Sequence, residues 1–151
     1  MILPRKPASK DLVFMQQCAS LAQLSKDPNT QHGACIVDSA NRIVSQGYNG
    51  PPPLIPDTAI DWSRPAKYPF ICHAEDNAIH FATAARGIDG LRDCRLYLTG
   101  RPCSRCMILI ARSQMRKVIF GSVQAKMCDD TDWAITKRIA ELAGIELREY
   151  V

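Results

Sequence analysis

Apolar residues recur at helical spacing in the first segment of the chain. Leu12, Met15, Ala19 and Ala22 form one line, widened by Phe14, Cys18 and Leu21. Ser9 is placed to cap the first free amides, so the pattern predicts a helix from Ser9 to about Leu24. Pro28 forces its predecessor out of helical geometry and closes that element. Two short β-rich runs follow, Ala34 to Val37 and Arg42 to Gln46. The polar link Asp38-Ser39-Ala40-Asn41 makes them a hairpin. Periodicity then disappears until about His73. A helix from there to Ala85 carries Ala78, Ile79, Ala82 and Ala85 on one side, and Gly87 ends it. Arg95 to Thr99 reads as a strand. A helix begins near Pro102, a residue suited to a first turn, with Cys103, Cys106, Met107 and Ile110 along it. Lys117 to Phe120 is a strand, Thr131 to Ala143 a helix stopped by Gly144, and Ile145 to Tyr150 a final strand.

The order α-β-β-α-β-α-β-α-β implies an α/β fold. A five-stranded mixed sheet is covered by helices on both faces, a three-layer α/β/α arrangement. A whole helix separates the last two strands, which is long enough for a right-handed parallel crossover. No internal repeat or linker interrupts the pattern, so residues 1–151 are expected to form a single domain. The aperiodic stretch Pro51 to Pro69 holds six of the 10 prolines. A loop of this length inside a domain is a lid, a binding loop or else disordered. Pro51-Pro52-Pro53 alone reads as a stiff partner ligand, and the position just before His73 favours a pocket wall.

Composition narrows the picture only a little. With 46% hydrophobic and 23% charged residues the chain is an ordinary globular sequence. The formal charge of +4 is spread singly, so no basic arm marks a long nucleic-acid footprint, and a small anionic substrate fits equally well. Met1 to Pro7 lacks the apolar core of a secretion signal, and no apolar run reaches the ~20 residues a membrane span needs. A reducing cytosol is therefore the expected location, with the 7 cysteines serving as metal ligands or small core residues.

The chemistry concentrates in two short pieces, His73-Ala74-Glu75 and Pro102-Cys103-Ser104-Arg105-Cys106. His73, Cys103 and Cys106 supply an N,S,S donor set suited to zinc, and three protein ligands leave a fourth tetrahedral position for water. Glu75, two residues past the His, is placed to move protons without binding the metal. The rival reading is a structural zinc knuckle, for which Cys72 or Cys94 offers a fourth ligand. Two helix starts suit the thiolates, because free amides and the helix dipole favour negative charge there. Residues two apart do not share a helix face, so His73 belongs at the threshold and Glu75 in the first turn.

The spaced pattern H-x-E…P-C-x-x-C matches the signature of zinc-dependent base deaminases. Three further runs make the resemblance narrower: Ser25 to Val37, Gly47-Tyr48-Asn49-Gly50, and Tyr68 to Ile79. Together they resemble deoxycytidylate (dCMP) deaminases from about Ser25 to Phe120, and more weakly to Tyr150. The resemblance implies a cytidine-deaminase-like fold, one catalytic Zn²⁺ and hydrolysis of dCMP to dUMP and ammonia by zinc-bound hydroxide, with dUMP feeding thymidylate synthesis. It also implies a homohexamer activated by dCTP with Mg²⁺ and inhibited by dTTP. On the same basis His73, Cys103 and Cys106 are the metal ligands, Glu75 the proton shuttle and Asn49 a sugar contact. Ser25 and Lys26 lie near the nucleotide phosphate, and Tyr48 and Gly50 fall in the regulatory region.

The chain departs from the pattern at several points. His32 stands where the family usually has Val and reads as a core or interface residue, not a ligand. Arg105 sits between the two Cys, where an acidic or neutral residue is common. The loop Gly121 to Asp130 offers Met127 and no Tyr to pack on a base, with Trp133 just beyond. The proline-rich loop lacks the Cys/His set for a second zinc. Cys18, Cys35, Cys72, Cys94 and Cys128 read as packed or incidental thiols. Two other functions share these residues: a deaminase of tRNA adenosine or another polymer base, and a non-catalytic nucleotide-binding regulator. The chain suits a cellular cytosol, or the host cytosol if it is viral.

Overall fold

Ser9 caps the first helix with its hydroxyl, which accepts from Leu12 N at 3.2 Å, and α1 runs over Lys10–Ala22. The computed structural model describes residues 1–123 and 128–151. The buried seam of α1 is Phe14, Cys18 and Ala22, while Leu12 and Ala19 face outward. Two apolar lines one residue apart both satisfy helical spacing. The line carrying Phe14 is chosen because its ring meets Tyr97 at 5.2 Å, a contact between distant segments that periodicity does not contain.

The sheet is built from β1 (Gly33–Val37), β2 (Ile43–Tyr48), β3 (Arg95–Gly100), β4 (Lys117–Val123) and β5 (Glu146–Glu149). Its order is β2-β1-β3-β4-β5. β1 is antiparallel to both β2 and β3, whereas β3, β4 and β5 run parallel. The expected mixed sheet with parallel final strands is what forms. Ala34 and Ile36 face one side with Leu96, Leu98, Val118 and Phe120. That side is covered by α2 (Ala74–Arg86), α3 (Ser104–Ser113) and α4 (Asp130–Ala143). Cys35, Val37, Tyr97 and Ile119 face the other side, where Phe14 and Cys18 of α1 cover them. Period-two alternation in fully buried strands thus separates two cores.

Several boundaries differ from the sequence expectation by a residue or two. β2 extends to Tyr48, so the expected Gly47–Gly50 turn begins later. α3 starts at Ser104 with Cys103 as its cap, and Pro102 precedes the helix where a first-turn position was expected. Gly87 and Gly144 end α2 and α4 at φ 82° and 68°, a conformation that favours glycine. The proline-rich stretch contains two short 3-10 turns, Asp57–Ala59 and Tyr68–Phe70.

One close approach sets the position of α2. A Cβ added at Gly47 would lie 2.3 Å from the Ala74 carbonyl oxygen and 2.7 Å from Ala78 N. Only glycine lets the helix start rest directly on β2, and Ser45 adds a hydrogen bond to the Ala78 carbonyl at 2.7 Å. The N-terminus of α2 is thereby fixed against the sheet. α3 is fixed from the other direction. Asp132 of α4 accepts from Ser104 N at 2.9 Å and from the Ser104 hydroxyl at 2.5 Å, which satisfies free donors at the helix start.

Candidate active site

The starts of α2 and α3 meet. His73 caps α2 and Cys103 caps α3, both in extended backbone geometry, and neither side chain is used as a cap. Their side chains are therefore free to turn toward each other. His73 Nδ1 lies 3.5 Å from Cys103 Sγ and 3.3 Å from Cys106 Sγ. One ligand atom from each of His73, Glu75, Cys103 and Cys106 lies within 4.8 Å of the others. Zinc bonds to N and S at about 2.0–2.3 Å give a tetrahedral N···S edge of about 3.5 Å. The His–Cys spacings match that edge.

The electrostatics point the same way. The Cys103 thiol is drawn down to about 4, first by its hydrogen bond with Cys106 and then by His73, against the effect of burial. His73 is lifted to about 9, first by its bond to Cys103 and, after the opposing effect of burial, by the Glu75 charge. Cys106 is pushed up by Cys103, by burial and by Glu75, so the two thiols do not ionise together. Burial also raises the Glu75 carboxyl, which is 4% exposed. A divalent cation among these groups replaces protons and lets both sulfurs carry charge. The donor set fits zinc.

The cavity next to this cluster is walled by Asp27, Thr30, His32, Asn49, Arg64 and Lys67, among others. Asn49 holds its wall together: its Oδ1 accepts from His32 N at 2.8 Å and its Nδ2 donates to the Thr30 carbonyl at 2.9 Å. The loop Pro51 to Pro69 forms a pocket wall through Arg64 and Lys67, with Tyr68. Lys67 reaches Asp27 at 2.6 Å and Asn29 Oδ1 at 2.8 Å, with only 3% of its side chain exposed. Although burial opposes it, the Lys67 contact and the amides of Asn29 and Thr30 hold the Asp27 carboxyl below its usual range. Breaking such a pair strands a buried charge. Lys67→Met is expected to lower stability by about 3–5 kcal/mol in urea unfolding, far more than a surface lysine would. An unchanged midpoint would show that the loop is not clamped by this pair.

Asn49, His73, Glu75 and Cys103 thus line one cavity, with Cys106 in the metal cluster behind it. Ser25 and Lys26 are not among the lining residues. The Ser25 hydroxyl donates to the Asn49 carbonyl at 2.8 Å, and Lys26 is exposed and pairs with Asp57. Tyr48 projects outward from β2, while its carbonyl accepts from Asn77 at 2.8 Å. Gly50 pairs reciprocally with Cys72 at 3.0 and 2.8 Å, tying that turn to the residue before His73. Trp133 packs edge-on to Phe120 and under Arg101, at 5.2 and 4.8 Å, and is not a lining residue. Cys128, read from sequence as a packed or incidental thiol, is buried beside Cys103 and Cys106 and also lines the cavity. Met127 falls outside the described residues.

Sequence reasoning did not single out Arg64, Lys67, Thr30 or Asp27, and it placed His32 in a core or an interface. The basic residues lie in an aperiodic loop, where no spacing rule marks which side chains turn inward. The only signal was the loop's place immediately before His73.

A mixed α/β sheet with a His, two Cys and a buried Glu gathered at two helix starts defines a zinc-dependent hydrolytic deaminase. Comparison with known proteins agrees. The sequence model of the cytidine and deoxycytidylate deaminase zinc-binding region matches residues 8–122. The chain is 38% identical to the deoxycytidylate deaminase of Homo sapiens over 144 residues, covering 91% of this chain and 78% of that protein. It is 36% identical to a probable deoxycytidylate deaminase of Drosophila melanogaster, covering 93% and 72%. Its fold is similar to that of the dCMP deaminase of cyanophage S-TIM5, crystallised with dCMP and dUMP. That match has a TM-score of 0.75 at 24% identity, covering 92% of this chain and 95% of that one. The chain belongs to the cytidine and deoxycytidylate deaminase family. No helix among the described residues is long and apolar enough to cross a membrane.

Proposed function

We propose that this protein hydrolyses dCMP to dUMP and ammonia, so that it supplies dUMP for thymidylate synthesis in the cytoplasm. The observation that carries the reading is one cavity with the His73, Glu75, Cys103 and Cys106 group at one end and Asn49 and Arg64 on its wall. His73, Cys103 and Cys106 hold the zinc. When bound, zinc supplies a Lewis acid that brings the pKa of a coordinated water to about 7.

Glu75 does the proton work. Its carboxylate takes a proton from the attacking water and delivers it to ring nitrogen N3, then passes the second proton to the departing amine. The C4–N bond breaks, the C4 carbonyl forms and ammonia leaves. Burial suits the role, because a carboxyl with a raised pKa gives up and regains protons within one turnover. Asn49 is buried and already held at both ends of its amide, so it presents a fixed polar edge to the sugar.

The cavity also suits a nucleotide over a nucleoside. Lys67 is neutralised by Asp27, whereas Arg64 makes no ion pair among the described residues and donates only to the Thr30 hydroxyl, at 3.0 Å. Its Nε is buried without a partner. We assign the 5′-phosphate to Arg64, with Ser25 acting behind the site through Asn49. Arg64→Ala is expected to lower kcat/KM for dCMP by about tenfold to a hundredfold and to leave deoxycytidine turnover nearly unchanged. An equal loss on both substrates would remove Arg64 from phosphate recognition.

Regulation by dCTP with Mg²⁺ and by dTTP, on a homohexamer, forms part of the same proposal. The Gly50–Cys72 pairing supports it, because a nucleotide resting on Tyr48 and Gly50 shares a short rigid path with His73. Assays of dCMP loss with and without dCTP and Mg²⁺ test this. Activity indifferent to both nucleotides would confine Tyr48 and Gly50 to a structural turn.

A further inference from the structure

Among the described residues, two side-chain nitrogens are buried without a hydrogen-bond partner: Arg64 Nε and His32 Nε2. Both residues line the active-site cavity. The reaction and the phosphate account for Arg64, but they leave His32 without a role. An orphaned buried polar atom carries a cost unless something meets it, and beside a cavity that something is a water or a ligand.

The hydrogen-bond network fixes what His32 offers. Its Nδ1 lies 3.0 Å from Thr99 Oγ1, and the same Oγ1 accepts from Gly33 N at 3.2 Å. The Thr99 hydroxyl has one hydrogen, and among the described residues His32 Nδ1 is its only acceptor. In the tautomer that satisfies this hydroxyl, Nδ1 accepts and the ring proton sits on Nε2. Burial, and then the charge on His73, bring His32 down to about 4, so near neutral pH the ring is uncharged. The result is a neutral N–H donor, buried and unpartnered among the described residues, on a ring that belongs to the cavity wall.

The ring is also held in place. Its backbone N–H is bonded to Asn49 Oδ1 at 2.8 Å, which puts His32 beside the residue assigned to the sugar. A Cβ at Gly100 would lie 3.0 Å from His32 Cε1 and 1.9 Å from the Val123 carbonyl oxygen, so the glycine leaves space for the imidazole. An uncharged donor suits an uncharged oxygen, while the phosphate has the Arg64 guanidinium. The single free hydroxyl of a 5′-phosphorylated deoxynucleoside is the one at the 3′ position.

We propose that His32 is a substrate-contacting residue whose Nε2–H donates to the 3′-hydroxyl oxygen of the bound nucleotide. This assignment rests on the dCMP reading above and adds a determinant to it. Zinc-loaded wild type, His32→Val and His32→Gln are assayed on dCMP and on its 3′-deoxy analogue, 2′,3′-dideoxycytidine monophosphate. Wild type is expected to lose about tenfold in kcat/KM on the analogue. His32→Val is expected to lose a similar factor on dCMP and to treat the two substrates alike. His32→Gln, which keeps a donor, is expected to recover part of the discrimination. A purely structural role for His32 would leave the discrimination in the Val variant and thereby overturn the proposal. Wild type that ignores the missing hydroxyl overturns it without any variant, so a variant that fails to fold does not shield it. Wild type inert on dCMP overturns the substrate reading itself, whereas active wild type indifferent to the hydroxyl overturns only the role of His32.

Discussion

Glu75→Gln is expected to lower dCMP turnover by about 10³-fold while leaving zinc content and fold intact. The glutamine keeps the shape and buried position of the side chain, which is 4% exposed in the native protein. It cannot take a proton from water or return one to N3. The amide also removes the negative charge that helps lift His73, but the N,S,S donor set is complete without it. The check is steady-state turnover beside zinc content measured on the same preparation. Loss of activity with zinc retained isolates the proton shuttle. Activity within tenfold of wild type would assign that shuttle to another group, and loss of both together would make Glu75 a metal ligand.

The second large effect is expected from Cys106→Ala. This substitution removes one of the three atoms proposed to hold the metal and leaves Cys103 and His73 as a two-point site, too few for a tetrahedral centre. Zinc is expected to be lost on dialysis and turnover to disappear with it. Stability should fall as well, because a ligand present at about a thousand times its Kd stabilises the folded state by roughly 4 kcal/mol. The consequence is a lower unfolding midpoint that added zinc does not restore, whereas chelator-treated wild type recovers when zinc returns. A variant that holds zinc as tightly as wild type would require a different third protein donor, with Cys128 the cavity-lining thiol to examine.

The parts of the molecule legible in the sequence are those governed by local rules. Ser9, Gly87 and Gly144 mark helix ends through their own backbone chemistry, and all three do so in the structure. The position of His73 at a helix threshold followed from the geometry of residues two apart, and the structure gives it the cap position. The mixed sheet followed from element order, and the pairing of β4 with β5 from the helix between them. What the sequence did not reveal depends on distant contacts. The inward face of α1 is decided by Phe14 meeting Tyr97, eighty-odd residues away, as both lines of apolar residues fit the helix equally. The cavity roles of Arg64 and Lys67 are decided by how an aperiodic loop folds over Asp27 and Thr30.

His32 shows the same limit from the other side. In the sequence it is a lone histidine at a position where the family usually has Val, with nothing nearby to give it a task. The role proposed for it depends on Thr99 of β3, whose hydroxyl meets Nδ1, while Nε2 stays unmet among the described residues. Ser25 and Lys26, adjacent in sequence, likewise separate in space: one is buried against Asn49 and the other is exposed beside Asp57. Adjacent residues in a loop share no face, so proximity in the chain was a poor guide there.

The account rests most directly on the reaction itself, and the measurement is the absorbance change of dCMP incubated with zinc-loaded wild-type protein, with ammonia release followed in parallel. The predicted result is stoichiometric conversion of dCMP to dUMP and ammonia that stops when the zinc is chelated. Zinc-replete, folded protein that leaves dCMP unchanged and releases no ammonia, with and without dCTP and Mg²⁺, would contradict it.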